Sequence, residues 1–275
     1  MSIIKSIDTK FSELTETQKK GALYIRNHIQ EIAFSSIKEL SRKSEVSEAT
    51  LIRLSRELGY DGYAQMQRES QNFVVENRTV IRLNEFLSEK DNSASWLEKH
   101  FAQEVQNITR TMNLSQENKI SLCARKILEA DKIYVGGWRV ELSISVPLHY
   151  ILNYMLGNAV FIEHYAVAET LTNMTGNDIL FLCGFPRYSR LSLKIIENVK
   201  QLGCYIITMT DSEISPFAGA SDVSLFAYTD SKGFLDSYTA AFSIVNALIK
   251  EIAFLDPERV QTNLKKIEEN FEFFR

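Results

Sequence analysis

Cysteine is scarce here, and what there is does not pair. The 275 residues hold three cysteines, Cys123, Cys183 and Cys204, an odd number in apolar surroundings. A disulfide scaffold is excluded, and no CxxC or Cys/His spacing suggests zinc. No apolar run reaches the roughly 18 residues a membrane span needs. The stretch from Met1 to Lys20 is polar and mixed in charge, without a signal-peptide core. These absences make a reduced, cytoplasmic setting the expectation, with no membrane partner. GxSxG, Walker A and HExxH motifs are missing, and Gly136-Gly137 is too short for a dinucleotide fingerprint. No cofactor, metal or catalytic group is therefore expected. Internal repeats and low-complexity segments are absent as well.

A basic excess is also lacking, since the net charge is −4. The average hides the distribution. Residues 1–77 hold 11 Lys/Arg and 11 Asp/Glu, which leaves 20 and 24 for the remainder. A neutral segment still binds DNA if its basic residues share one face. What the chain does have is 45% apolar and 24% charged residues, an ordinary globular composition. Its length suits two domains.

Residues 11–77 read as helix after helix. Leu23, Tyr24, Ile25 and Ile29 supply apolar positions over Gln18 to Ile29. Ser36 with Glu39 forms a capping box that opens Ile37 to Lys43. After the break at Ser44-Glu45-Val46, Ser47 opens a third helix. Leu51, Ile52, Leu54 and Leu58 are its apolar set, and Gly59 stops it. Another helix follows Asp61-Gly62. Residues 78–115 look helical and polar, with a loop at Lys90 to Ser95.

From about residue 118 the pattern changes. Short apolar strands at 132–135, 159–162, 178–183, 205–209 and 223–226 alternate with helices at 147–156, 189–202 and 238–254. Pro257 starts a last polar helix. The alternation implies a parallel sheet covered on both faces.

Two short helices joined by a three- or four-residue turn form a helix-turn-helix pattern. Ile37 to Lys43 would support and Ser47 to Leu58 would read. The first turn of a reading helix faces base edges, and Ser47, Glu48, Ala49 and Thr50 are small or polar. Arg53 and Arg56 follow along the same helix. Ser36, Lys38, Arg42 and Lys43 are placed to touch phosphates, which position the protein without reading sequence. Tyr60 and Tyr63 flank the glycines after the reading helix.

The wording from Ile37-Lys-Glu-Leu-Ser through Val46-Ser-Glu-Ala-Thr-Leu-Ile-Arg-Leu-Ser-Arg-Glu-Leu-Gly-Tyr60-Asp-Gly-Tyr63 resembles the DNA-binding domain of the RpiR/MurR family of bacterial transcriptional regulators. Members of that family usually carry a SIS domain, a sugar-isomerase-type α/β module that binds phosphosugars. The order after residue 118 resembles one, with Gly136-Gly137, Thr210-Asp211-Ser212, Ser215-Pro216 and Asp236-Ser237 at the loops. The resemblance implies an α helix-turn-helix domain over 1–78, a helical linker over 79–115 and a flavodoxin-like α/β SIS domain over 116–275. It also implies a ligand-responsive transcriptional regulator of double-stranded palindromic DNA that acts as a homodimer or homotetramer. The Tyr238 to Phe254 helix could supply apolar interface.

In an open parallel sheet, ligands sit beyond the carboxyl ends of the strands, near helix N-termini that hold anions. The candidate loops carry Gly137, Trp138 and Arg139; Phe185, Arg187, Tyr188 and Ser189; and Thr210, Asp211 and Ser212. Phosphosugar-binding members typically have a serine-rich second loop like S-x-S-G-x-T. Here Gly184-Phe-Pro-Arg-Tyr-Ser189 stands instead and resembles a branch of the family. Two guanidiniums can clamp a carboxylate or a phosphate. The expected effector is a small anionic metabolite, phosphosugar or carboxylate. Ser189 is also a helix cap. Two other classes stay open: a sugar-phosphate isomerase with an accessory helical domain, using Glu163, His164 or His149 as base, and an assembly module.

Overall fold

A computed structural model describes residues 3–88 and 95–274. The chain divides into two compact units, Met1–Lys90 and Asp91–Arg275. The segment expected as a helical linker over 79–115 spans that division. The loop expected at Lys90 to Ser95 lies, except for Ser95, outside the described residues.

The first unit is helical: α1 (Ile3–Lys10), α2 (Glu16–Asn27), α3 (Ile29–Phe34), α4 (Ile37–Ser44), α5 (Glu48–Glu57) and α6 (Tyr63–Ser88). Side chains fix the helix starts. The Ser36 and Glu39 capping box forms, and a second one joins Thr15 and Gln18. Each such cap contributes about 1 kcal/mol. α1 was not legible in the polar N-terminus, yet Ile3 and Ile7 are fully buried with Ile25, Ile32, Leu40, Leu51, Leu54 and Met66. Gly21 lets α2 approach α5, since a Cβ there would lie 3.3 Å from Leu54 Cδ2. Gln67 and Gln71 of α6 donate to the carbonyls of Ser35 and Ala33 at 2.7 Å each, which satisfies the exit of α3.

The second unit begins with α7 (Trp96–Met112) and α8 (Glu117–Glu129). Five strands follow: β1 (Ile133–Gly136), β2 (Ala159–Phe161), β3 (Ile179–Cys183), β4 (Tyr205–Thr210) and β5 (Val223–Phe226). All pair in parallel, in the order β2-β1-β3-β4-β5. Between and after them lie α9 (Leu142–Leu156), α10 (Val167–Thr172), α11 (Arg190–Gln201), α12 (Thr239–Leu255) and α13 (Pro257–Phe273).

Strand alternation splits the core in two. Ile133, Val135, Phe181 and Met209 point to one face, against α8, α9 and α12. Tyr134, Leu180, Leu182 and Ile206 point to the other, with Ile195, Ile196 and Val199 of α11. Both faces being covered, the strands are continuous apolar runs. One side of α12 belongs to this core: Ala240, Ala241, Ile244, Val245, Leu248 and Ile252 are all buried. α9 starts five residues before Pro147 and carries that proline inside the helix.

Candidate DNA-reading face and ligand crevice

α4, a three-residue turn and α5 form a helix-turn-helix. Glu45 closes α4 in the left-handed conformation, φ +54°. Lys20 holds the Glu45 carboxylate at 2.5 Å. Val46 is buried, and Ser47 caps α5 by accepting the Thr50 N–H at 3.2 Å. The Ser47 and Thr50 hydroxyls also bond each other at 2.8 Å.

The pinned turn leaves α5 with two faces. Leu51, Leu54 and Leu58 are buried, while Ser47, Glu48, Ala49, Arg53 and Arg56 are exposed and Thr50 is half-buried. Ile52, expected in the apolar buried set, is instead exposed beside Glu48 and Arg56. Its spacing of four from both was the available signal. On α4, Ser36, Lys38, Arg42 and Lys43 are exposed. Lys43 already pairs with Glu31 at 2.6 Å, and that hydrogen bond holds the Glu31 carboxyl below its usual range. Ser36 is engaged with Glu39 from both sides.

In the second unit, strand order reverses between β1 and β3. Loops leaving a sheet at such a point diverge and open a crevice. The β1 loop carries Gly137 to Glu141, and the β3 loop carries Gly184 to Ser189. Arg139 and Arg187 are exposed, one on each loop, and both sit at positive φ, +61° and +79°. Non-glycine residues in that region cost of order 1–3 kcal/mol each and gather at ligand clamps. Tyr188 donates to Asp211 Oδ1 at 2.6 Å and so ties the β3 loop to the β4 loop. Thr210 donates to the same Oδ1 at 3.1 Å, and Ser212 to Oδ2 at 3.3 Å. Burial and the adjacent carboxylate push the Tyr188 phenol up to about 12.

The remaining expected residues are placed differently. Trp138 is buried with Tyr134, Ile162 and Leu182. Its Nε1 is buried without a hydrogen-bond partner among the described residues, as is the Ser145 hydroxyl. Phe185 is fully buried against Tyr238, ring centroids 5.1 Å apart. Gly137 is required by close approach, because a Cβ would lie 2.9 Å from Ser145 Oγ. Ser189 accepts the Ser192 N–H at 3.3 Å and caps α11.

Sequence reading passed over Glu141. It ends the β1 loop, is buried, and accepts the Phe185 backbone N–H of the β3 loop, and burial raises its carboxyl pKa. A carboxyl raised on folding adds stability that is complete below its unfolded value near 4.5 and is lost as pH rises through the folded value. Glu141→Gln should therefore flatten the stability change of this unit between pH 4.5 and neutrality. Urea unfolding across that range measures it. An unaltered pH dependence would contradict the assignment.

The candidate isomerase bases belong to α9 and to the segment just beyond the carboxyl end of β2. His149 packs on Phe161 and bonds the backbone of Ala159, at the amino end of β2. Glu163 and His164 are exposed.

A family model for the rpiR-family helix-turn-helix domain matches residues 1–71, and one for the SIS domain matches 126–251. The chain thus carries an rpiR-family helix-turn-helix domain followed by a SIS domain. An HTH-type transcriptional regulator of Thermotoga maritima is 24% identical over 97% of this chain and 96% of its own. The sugar isomerase domain of an RpiR transcription factor from Sphaerobacter thermophilus superposes with a TM-score of 0.60 and 26% identity, covering 64% of this chain and 99% of that one. Vibrio vulnificus NanR, solved in complex with ManNAc-6P, matches 100% of this chain and 99% of its own, with a TM-score of 0.61 and 17% identity. No helix among the described residues is long and apolar enough to cross a membrane.

Proposed function

We propose that this chain is a ligand-responsive transcriptional regulator, with no catalytic step of its own, that works in the cytoplasm. α5 reads a palindromic operator, and the crevice between the β1 and β3 loops takes an anionic effector. The observation that carries the reading is the two-faced α5, whose leucines hold it while Arg53 and Arg56 stand clear. Ile52 adds an exposed apolar group suited to a thymine methyl. Lys38, Arg42 and Lys43 supply phosphate contacts. The likeness to NanR supports a phosphosugar within the anionic class, and the two arginines equally accept a carboxylate. A homodimer or homotetramer suits a two-fold symmetric operator.

Coupling has a physical route within the second unit. Phe185 leaves the crevice loop and packs on Tyr238. The segment before Tyr238 is held by α7, through Asn107 to the Asp230 carbonyl at 2.7 Å and Thr111 to the Tyr228 N–H at 3.0 Å. α7 is the first helix of the second unit in chain order. A ligand that prefers one arrangement of this clasp shifts DNA affinity by about 1–3 kcal/mol.

The test is selection of bound sequences from randomised duplex DNA, repeated with phosphosugars and small carboxylates. A palindrome should emerge, and one compound class should alter its affinity. No enrichment under any condition would overturn the regulator reading and send the protein to isomerase assays. A ligand at a hundred times its Kd should stabilise the protein by about 2.7 kcal/mol. Arg187→Ala should abolish that melting shift. A shift of full size in the variant would remove Arg187 from the site.

A further inference from the structure

The crevice is not a site of one sign. Over the five residues that follow each of β1 to β4, the chain carries Glu141, Glu163, Asp211 and Glu213 against Arg139 and Arg187. Arg187 and Asp211 are tied into one piece, because Tyr188 follows Arg187 directly and donates to Asp211 Oδ1 at 2.6 Å. Asp211 still has capacity as an acceptor. An ionised carboxylate offers about four lone-pair sites. Tyr188 and Thr210 use Oδ1, while Oδ2 takes Ser212 at 3.3 Å and is the less committed oxygen. The hydroxyls that a phosphate would need are already engaged. Tyr188 is on Asp211, Ser189 caps α11 through the Ser192 N–H, and Thr210 bonds Ser215 at 2.7 Å. A phosphomonoester carries a charge of about −1.5 to −2 at neutral pH, and at this wall it would lie beside the Asp211 carboxylate.

We propose that the effector is a zwitterion, a small carboxylate that also bears an ammonium group. Arg139 and Arg187 take the carboxylate, and Asp211 takes the ammonium. The inference rests on the crevice reading above and narrows its ligand class. Guanidiniums match a carboxylate with paired N–H donors. The two here stand on separate loops, each at a positive φ. An ammonium brings three donors and no acceptor, which suits an oxygen with lone pairs left. Glu141 is not its partner: it is buried, it accepts the Phe185 N–H, and burial favours its neutral form. Asp211 is half-buried and within reach of solvent. The Tyr188 phenol, pushed up to about 12, stays a donor to it at neutral pH. The arrangement selects by charge. A dicarboxylate or a phosphosugar sets a second negative charge beside Asp211. A hydroxyl in place of the ammonium forfeits the ion pair. A few polar groups placed in this way fix both the orientation and the identity of a small ligand.

The experiment uses the full chain without DNA. Thermal melting and calorimetric titration are run with the common amino acids of both hands. Each is paired with its 2-hydroxy acid and its N-acetyl derivative, and glucose 6-phosphate and ManNAc-6P complete the set. At least one amino acid should raise the melting temperature, and its two ammonium-free counterparts and both phosphosugars should not. Asp211→Asn, with an unchanged circular dichroism spectrum, should weaken that binding by about 10- to 100-fold. The comparison of the amino acid with its N-acetyl derivative, made on the native chain, decides the matter if the variant does not fold. A phosphosugar, hydroxy acid or N-acetyl derivative that binds as tightly as any amino acid keeps the crevice as an anion site and overturns the zwitterion. Full affinity in a folded Asp211→Asn variant overturns it too. So does the absence of a shift with every compound, and operator selection then judges the regulator reading separately.

Discussion

Arg53→Ala should lower affinity for the selected operator by about 1–3 kcal/mol, or roughly 5- to 150-fold, and leave non-specific binding nearly unchanged. The expectation follows from how α5 is held. Leu51, Leu54 and Leu58 anchor the helix, and Arg53 shares none of their packing. Removing it takes away a donor for a base edge without moving the helix. Arg42→Ala is the contrast. Arg42 is exposed on α4, the supporting helix, where a guanidinium meets phosphate. Its loss should weaken specific and non-specific binding alike and reduce the salt slope by about 0.9. Lys43→Ala should cost less than Arg42→Ala, because the Lys43 ammonium must first leave Glu31. Titrations of operator and scrambled duplex at several salt concentrations separate these outcomes. A uniform loss with Arg53→Ala and a selective loss with Arg42→Ala would reverse the roles.

Local chemistry made most of this readable. Ser36 and Glu39 announce a helix start because a side-chain cap is a property of four consecutive residues. The strands announce themselves because residues buried on both faces must be apolar. What escaped depends on distance in the chain or on conformation. The charges of Arg139 and Arg187 mark them as anion ligands, but no sequence rule assigns a positive φ to an arginine. Glu141 reads as one more loop acid until Phe185, 44 positions later, donates to it. α1 hides because only Ile3 and Ile7 report its buried side. α7 misleads for the opposite reason. Its period is plain, and the face a reader would bury, with Phe101 and Val105, is the face left out.

Gly184→Ala should be the most damaging single change at the crevice. Gly184 needs no unusual backbone angle; the constraint is space. A Cβ there would lie 2.3 Å from both Cε1 and Cζ of Phe217. Neither side can give way easily. The Gly184 N–H is fixed on the Met209 carbonyl at 2.9 Å, in line with the β3–β4 ladder. Phe217 is fully buried, and its own N–H is held by Ser215 at 3.2 Å. Ser215 in turn bonds Thr210 at 2.7 Å, so a displaced Phe217 pulls on the β4 loop. Overpacking of this kind costs about 1–3 kcal/mol, occasionally more. For a unit of this size each kcal/mol lowers Tm by about 2–4 °C, so a fall of roughly 6–12 °C is expected at the upper end. The same displacement would loosen Tyr188, whose ring lies 5.8 Å from that of Phe217 and whose hydroxyl holds Asp211. Effector response should therefore weaken along with stability. Phe217→Leu in the Gly184→Ala background should recover part of the loss, because it trims the ring that the new methyl meets. A double-mutant cycle reads the coupling directly. Additive costs would show that the two residues do not compete for that space, and the steric account of Gly184 would fall.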